Sequence, residues 1–126
     1  MKNKKYRIEK DSMGEMRVPH NALYGAQTQR AIENFPISNI QFNRDFINAV
    51  VLIKRSASIV NEKLGILDLT KKNAIVDACD QILKDELNSQ FPVDIFQTGS
   101  GTSTNMNVNE VVSKIATNNS KIKIHP

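Results

Sequence analysis

From Phe46 to Leu64 the apolar residues Phe46, Val50, Ile53, Ala57, Val60 and Leu64 return at intervals of four, three, four, three and four. That spacing holds one side of an α-helix apolar and makes a stripe suited to a helix bundle. The pattern predicts a helix that begins near Asn43, a good N-cap, and runs to about Leu64, with Gly65 as its C-terminal stop. A second helix is predicted from near Asp68 or Thr70 to about Leu87, with Ile75, Cys79, Ile82 and Leu83 on one side. A third follows residues 97–104 and places Val108, Val111, Val112 and Ile115 on its buried face, after which residues 117–124 read as a polar, lysine-rich connection. Between Asn21 and Phe35 one short helix fits, interrupted by Gly25 and ended by Pro36.

The first residues follow a different period. Tyr6 to Lys10 alternates weakly, Asp11-Ser12-Met13-Gly14 is turn-like, and Glu15 to Val18 alternates again until Pro19 stops it. The expected architecture is therefore mainly α. A short N-terminal β-hairpin or extended arm over residues 1–19 leads into a small helical domain of three main helices over residues 20–126. No internal repeat or low-complexity tract interrupts it.

Composition narrows the class. A chain of 126 residues with 40% apolar and 24% charged positions suits one modest domain with a real core. The net charge of +4 owes much to Lys2, Lys4, Lys5 and Arg7 at the start and Lys121 and Lys123 near the end, where solubilising charge is the plain reading. With no Trp and few aromatic residues, stacking platforms for nucleic acid are poorly supplied, so no nucleic-acid partner is expected. No apolar run approaches the roughly 20 residues of a membrane helix, and no apolar segment of a secretory signal follows the basic start. A cytoplasmic protein without membrane association is the expectation. The single cysteine, Cys79, has neither a disulfide partner nor a Cys-x-x-Cys neighbour, and its apolar surroundings make it a core thiol.

Chemistry concentrates in residues 97–109, Gln-Thr-Gly-Ser-Gly-Thr-Ser-Thr-Asn-Met-Asn-Val-Asn. Gly99 and Gly101 open backbone conformations closed to other residues, and Ser100, Thr102, Ser103 and Thr104 bring hydroxyl donors to a helix start. Unpaired N–H groups and the positive end of the helix dipole suit such a place to a small anion, above all a carboxylate. The plain alternative is a glycine turn with Ser100 or Thr102 as N-cap. A cap needs only one hydroxyl, however, and Asn105, Asn107 and Asn109 are poor helix formers whose presence calls for another reason. The Gly-Lys-Ser/Thr ending of a phosphate loop and the third glycine of a dinucleotide fingerprint are both missing.

Residues Phe96 to Glu110 closely resemble the first shared motif of the class II fumarases, in the aspartase/fumarase superfamily. The same resemblance extends over Arg7 to Glu15, Val18-Pro19, Leu23 to Arg30 and Glu33 to Ser38, and His125-Pro126 is similar to the start of the family's His-Pro-Asn-Asp segment. Aspartases share the Gly-Thr-Ser-Thr-Asn-Met-Asn run but carry Gly-Ala-Gly near Gly99-Ser100-Gly101 and Val-His-Thr-Leu-Arg near Ala26-Gln27-Thr28-Gln29-Arg30, so both discriminators favour fumarase.

The resemblance implies the N-terminal domain of a fumarase/aspartase-like fold and a lyase that reversibly hydrates fumarate to (S)-malate without metal or organic cofactor. Ser100, Gly101 and Thr102 would contact a substrate carboxylate, and His125 with Pro126 would belong to a secondary carboxylate site. Ile122 stands where many relatives place a basic residue, although Lys121 and Lys123 flank it. Gln27 and Arg30 lie in a matching segment but read equally well as structural ties, and His20 reads as a solvated loop residue. The family's serine-bearing mobile loop, histidine-acid pair, lysine-asparagine pair and long central helices have no match here. The expectation is an N-terminal portion of a homotetrameric enzyme, with no catalytic residue of its own and no appreciable activity alone. An aspartase-type ammonia-lyase and a non-catalytic carboxylate-binding or assembly module are the alternatives.

Overall fold

The computed structural model describes residues 5–126, so Lys2 and Lys4 lie outside the described residues. Strands β1 (Tyr6–Asp11) and β2 (Gly14–Pro19) pair antiparallel as a hairpin, with Arg7 opposite Val18 and Glu9 opposite Met16. Asp11 accepts a 2.9 Å hydrogen bond from the Met13 N–H, which closes the turn. Arg7 is more than a solubilising charge: its guanidinium donates to the carbonyls of Pro19, Ala22 and Tyr24 at 2.7–2.8 Å. It thereby folds residues 19–24 back onto the hairpin.

Four α-helices follow: α1 (Ala26–Asn34), α2 (Arg44–Lys63), α3 (Leu69–Lys84) and α4 (Thr102–Ser120). Asn43 and Asp68 cap α2 and α3 by accepting from the Phe46 and Lys71 N–H groups. At the end of α2, Gly65 N–H reaches Glu62 O and Ile66 N–H reaches Asn61 O, a Schellman ending with Gly65 at φ +72°. Helix α3 ends one turn before the expected Leu87. Arg44 from α2 donates to the carbonyls of Ile82 and Asp85, satisfying the acceptors that a further turn would have used.

Helix α4 is the centre of the fold. Val108, Val111, Val112 and Ile115 are buried as expected, but so are Thr104, Asn107, Glu110, Ser113 and Ala116, because α1, α2 and α3 all pack on it. It also runs past the connection predicted at residue 117 and ends at Ser120, where Lys121 turns left-handed at φ +62°. The tail then folds back: Ser113 Oγ donates to Ile124 O at 2.6 Å, Thr117 Oγ1 accepts from Ile124 N–H at 3.0 Å, and the Ile124 side chain is buried.

Apart from Val50, which packs against its edge, the stripe on α2 stays outside this core. Phe46, Ile53, Val60 and Leu64 are exposed, Ile53 by 64% and Leu64 by 67%, while Ile47, Val51 and Ser58 face inward. The inward side is rotated by one residue from the apolar stripe, because α3 and α4 occupy only that side; Phe42 stacks on Phe46, but Ile53, Val60 and Leu64 stay exposed. Cys79 is fully buried, as expected, and burial pushes its thiol pKa up to about 12.

Candidate functional site

The loop before α4 is held by a chain of polar contacts that begins at Asp94. Its carboxylate accepts from Ser38 N–H at 2.6 Å, Ser38 Oγ at 2.8 Å, Asn39 N–H at 2.9 Å and Phe96 N–H at 2.8 Å. Gln97 Nε2 then donates to Asp94 O and to Thr104 Oγ1, and Gln97 Oε1 accepts from Thr104 N–H at 2.9 Å. Gln97 is therefore the group that caps the first turn of α4. The hydroxyls take no part in capping, since Gly101 occupies the N-cap position and neither Ser100 nor Thr102 makes a side-chain cap bond.

Gly101 adopts φ +72°, a left-handed conformation that costs glycine little and that turns the chain into the helix. Gly99 has no such requirement. Gly101 N–H donates to Thr98 O, whereas the N–H groups of Thr102 and Ser103 make no bond among the described residues. Ser100 Oγ and Thr102 Oγ1 lie 2.9 Å apart, and no acidic residue stands in the first turn. Two hydroxyls, two free amides and the positive end of a 19-residue helix thus converge on one small region. One carboxylate there would satisfy donors that otherwise face water.

The three predicted carboxylate-binding residues do not share one cavity. Ser100 and Gly101 line a cavity of about 310 Å³ with Lys54, Thr104, Asn105, Phe42 and Phe46. Thr102 lines a neighbouring groove of about 270 Å³ with Gln27, Arg30, Thr98 and Ser103. Arg30 is tied by a two-pronged ion pair to Asp11, at 3.0 and 2.8 Å, and this bond raises the guanidinium pKa and lowers that of the carboxyl. Gln27 is exposed, and its backbone N–H is bound by Glu110.

His125 and Pro126 lie elsewhere. The Ile124 anchor sets them beside Ser113, 11 residues beyond Thr102 on α4, or about 16 Å along the axis at 1.5 Å per residue. Both border a cavity of about 630 Å³ shared with the basic groups Arg7, Lys10, Lys114 and Lys123 and the acids Glu9, Asp11 and Glu110, and a smaller one of about 240 Å³ shared with Lys54, Ser58 and Asn61. The His125 ring is exposed, with Nδ1 2.9 Å from Pro126 O. His20 is exposed, as expected.

Two features had little or no signal in the motif pattern. Glu110 is buried and its carboxylate accepts from the N–H groups of Gly25, Gln27 and Thr28 at 2.8–3.0 Å and from Thr28 Oγ1 at 2.7 Å. The chain's own acid thus fills the N-terminus of α1. An acid between Val108, Val111 and Val112 was the available sign. The second is Lys54, which stands on the inward side of α2 between Val51 and Ser58 and donates to Asn105 Oδ1. Among the described residues no group of three or more His, Cys, Asp or Glu is placed to hold a metal ion, and no helix is long and apolar enough to cross a membrane.

Asp94 should make the loop pH-sensitive. Burial pushes its pKa up, but the hydrogen bonds from Ser38, Phe96 and Asn39 outweigh this and hold it at about 2, below the ordinary 3.8. A depressed carboxylate contributes stability above its unfolded pKa and loses it as pH falls toward the folded value. The Ser38, Asn39 and Phe96 amides should therefore lose hydrogen-exchange protection between about pH 4 and pH 2, and Asp94→Asn should abolish that dependence. Local amides are the readout because Asp11 and Asp68 are also depressed and contribute to any global acid transition.

A lyase family model matches residues 14–126 of the chain. The class II fumarate hydratase of Halobacterium salinarum is 56% identical over 111 residues, which cover 88% of this chain and 24% of that protein. The class II fumarate hydratase of Xylella fastidiosa strain Temecula1 is 52% identical over 122 residues, or 97% of this chain and 26% of that protein. Among solved structures, recombinant class II fumarase from Schistosoma mansoni superposes with a TM-score of 0.89 at 38% identity, over 92% of this chain and 25% of that one. Native fumarate lyase:delta crystallin from Brucella melitensis gives 0.87 at 42% identity, over 94% and 28%. The chain spans about a quarter of the length of the curated relatives it matches. With nearly the whole chain matched in sequence and the same helical arrangement in solved relatives, it belongs to the lyase family, and the relatives it resembles there are class II fumarate hydratases.

Proposed function

We propose that this chain supplies one carboxylate-binding wall of a fumarate hydratase that interconverts fumarate and (S)-malate. The observation that carries the reading is the start of α4, where the Ser100 and Thr102 hydroxyls and the free Thr102 and Ser103 amides converge with no acid among them. Its support is the 51–56% identity to class II fumarate hydratases over alignments of 111–122 residues. In the malate-to-fumarate direction a base removes a proton from the carbon beside one carboxylate, the C–O bond on the next carbon breaks, and the hydroxyl takes a proton from an acid and leaves as water. The proton loss drives extra negative charge onto that carboxylate. Donors already aimed there stabilise the charge as it forms, as an oxyanion hole does.

No base is assigned among the described residues, so catalysis is proposed for the complete gene product and not for these 126 residues alone. His125 and Pro126 belong, on the same reading, to a secondary carboxylate site whose surroundings mix the cations Arg7, Lys10, Lys114 and Lys123 with the acids Glu9, Asp11 and Glu110, Glu9 being paired with Arg7 and Lys114. The reading also carries a cytoplasmic homotetramer, and the uncovered apolar side of α2 is in keeping with assembly.

The test is an assay of the complete gene product with fumarate, malate and aspartate. Hydration of fumarate is expected, with a fall of about 100-fold in kcat/KM for Ser100→Ala combined with Thr102→Val, on the scale of lost oxyanion donors. The isolated 126-residue chain is expected to be inactive. Ammonia release from aspartate in place of fumarate turnover would reassign the reaction, and inactivity toward all three substrates would leave a binding or assembly module.

A further inference from the structure

Lys54 is an unusual residue for its place. It follows Ile47 and Val51 and precedes Ser58 on the side of α2 turned to α4, and it is itself partly buried there. Among the described residues it forms no ion pair, in contrast to Arg30, Arg55, Lys71 and Lys114. Its one hydrogen-bond partner is Asn105 Oδ1, on the first turn of α4, and both residues line the cavity that holds Ser100 and Gly101. A half-buried ammonium without a counter-charge, set beside the positive end of a helix, raises an electrostatic demand that a bound anion would meet.

The chemistry of the pair adds direction. An ammonium has only donors, so the end of the Asn105 amide that faces it must be the oxygen. The Nδ2 group is thereby left as the free end, and it makes no bond among the described residues. Asn105 lies one turn above Gly101, whose carbonyl its backbone N–H binds at 3.1 Å, so its side chain stands over the start of the motif. Were Lys54 absent, the amide would be free to rotate, and its oxygen would repel the anion that its nitrogen attracts.

We propose that Lys54 is a positioning residue of the carboxylate site: it locks the Asn105 amide with Nδ2–H available to a substrate carboxylate at Ser100–Thr102. This inference rests on the reading of the chain as part of a fumarate hydratase. It also gives Asn105 a reason to occupy a helical position that its propensity disfavours.

The experiment is steady-state kinetics of the complete gene product with fumarate, comparing wild type, Lys54→Met, Lys54→Arg, Asn105→Ala and the Lys54→Met/Asn105→Ala double variant. Lys54→Met keeps the apolar stem and should raise KM about tenfold, the scale of one hydrogen bond to a charged group, with kcat changed less. Lys54→Arg retains charge and donor and should recover most of that loss. The double variant should be no worse than the poorer single, because Lys54 acts through Asn105. A structural tie alone would lower the melting temperature and leave KM in place. If Lys54→Met proves unfolded, Asn105→Ala and Lys54→Arg still decide, since the inference requires the first to raise KM and the second to stay close to wild type. An active wild type whose KM is within twofold in Lys54→Met or Asn105→Ala, or whose two effects multiply independently, overturns this inference alone. A wild type inactive on fumarate overturns the functional reading and this inference together.

Discussion

Glu110→Ala should lower the unfolding free energy of the 126-residue chain by about 3–5 kcal/mol, as expected when one partner of a buried charged network is removed. The carboxylate receives three backbone N–H groups and one hydroxyl from residues 25–28, and each would be left facing a cavity that no longer offers an acceptor. Glu110→Gln should fall between wild type and alanine. Three of the four bonds end on Oε2, which the amide oxygen can replace, whereas the new NH₂ would face the Gln27 N–H. Gly25→Ala approaches the same network from the other side, since a Cβ there would meet Glu110 Oε1 at 2.9 Å. Urea unfolding followed by circular dichroism checks all three. A loss under about 1 kcal/mol for Glu110→Ala would show that water serves these donors as well as the carboxylate does.

The second large effect separates the two faces of the helical layer. Ile82→Ala, at a fully buried position on α3, should cost about 2–5 kcal/mol through lost transfer energy and an unfilled cavity. Ile53→Ala, on the exposed side of α2, should change stability by no more than about 0.5 kcal/mol. The uncovered stripe should instead govern association: the 126-residue chain should sediment with a concentration-dependent mass, and Ile53→Glu with Val60→Glu should suppress it without lowering the melting temperature. Equal destabilisation by Ile53→Ala and Ile82→Ala would mean that α2 packs the other way round.

The helices themselves were legible because their signals are local. Asn43, Asp68 and Gly65 stand where caps and a left-handed stop are needed, and the structure uses each for that purpose. Val108, Val111, Val112 and Ile115 face the core because α4 is covered on several sides, so a periodic apolar pattern and true burial coincide. On α2 they do not coincide. Periodicity reports which side of a helix is apolar, not which neighbour is present to cover it, and the side that packs here is the one holding Ile47, Val51, Lys54 and Ser58.

The candidate site divides along the same line. Residues 97–109 announce a helix start rich in donors by their composition alone, and their resemblance to a known motif is what makes a carboxylate the proposed ligand. Which donors are free is a matter of long-range contacts. Gln97 caps α4 and leaves the Ser100 and Thr102 hydroxyls uncommitted to the helix, while Asp94 ties the loop to Ser38, 56 residues earlier in the chain. Lys54 meets Asn105 across 51 residues, and Glu110 meets Gly25 across 85.

Helix identity, caps, the left-handed turn at Gly101 and the family of the chain are thus properties of neighbouring residues, because propensity, capping and backbone sterics act over a few positions. The partners of Glu110 and Lys54, the reversal of the tail at Ile124 and the uncovered side of α2 follow from how the helices pack. A polar group's environment depends on which distant segment faces it, and no interval along the chain carries that information.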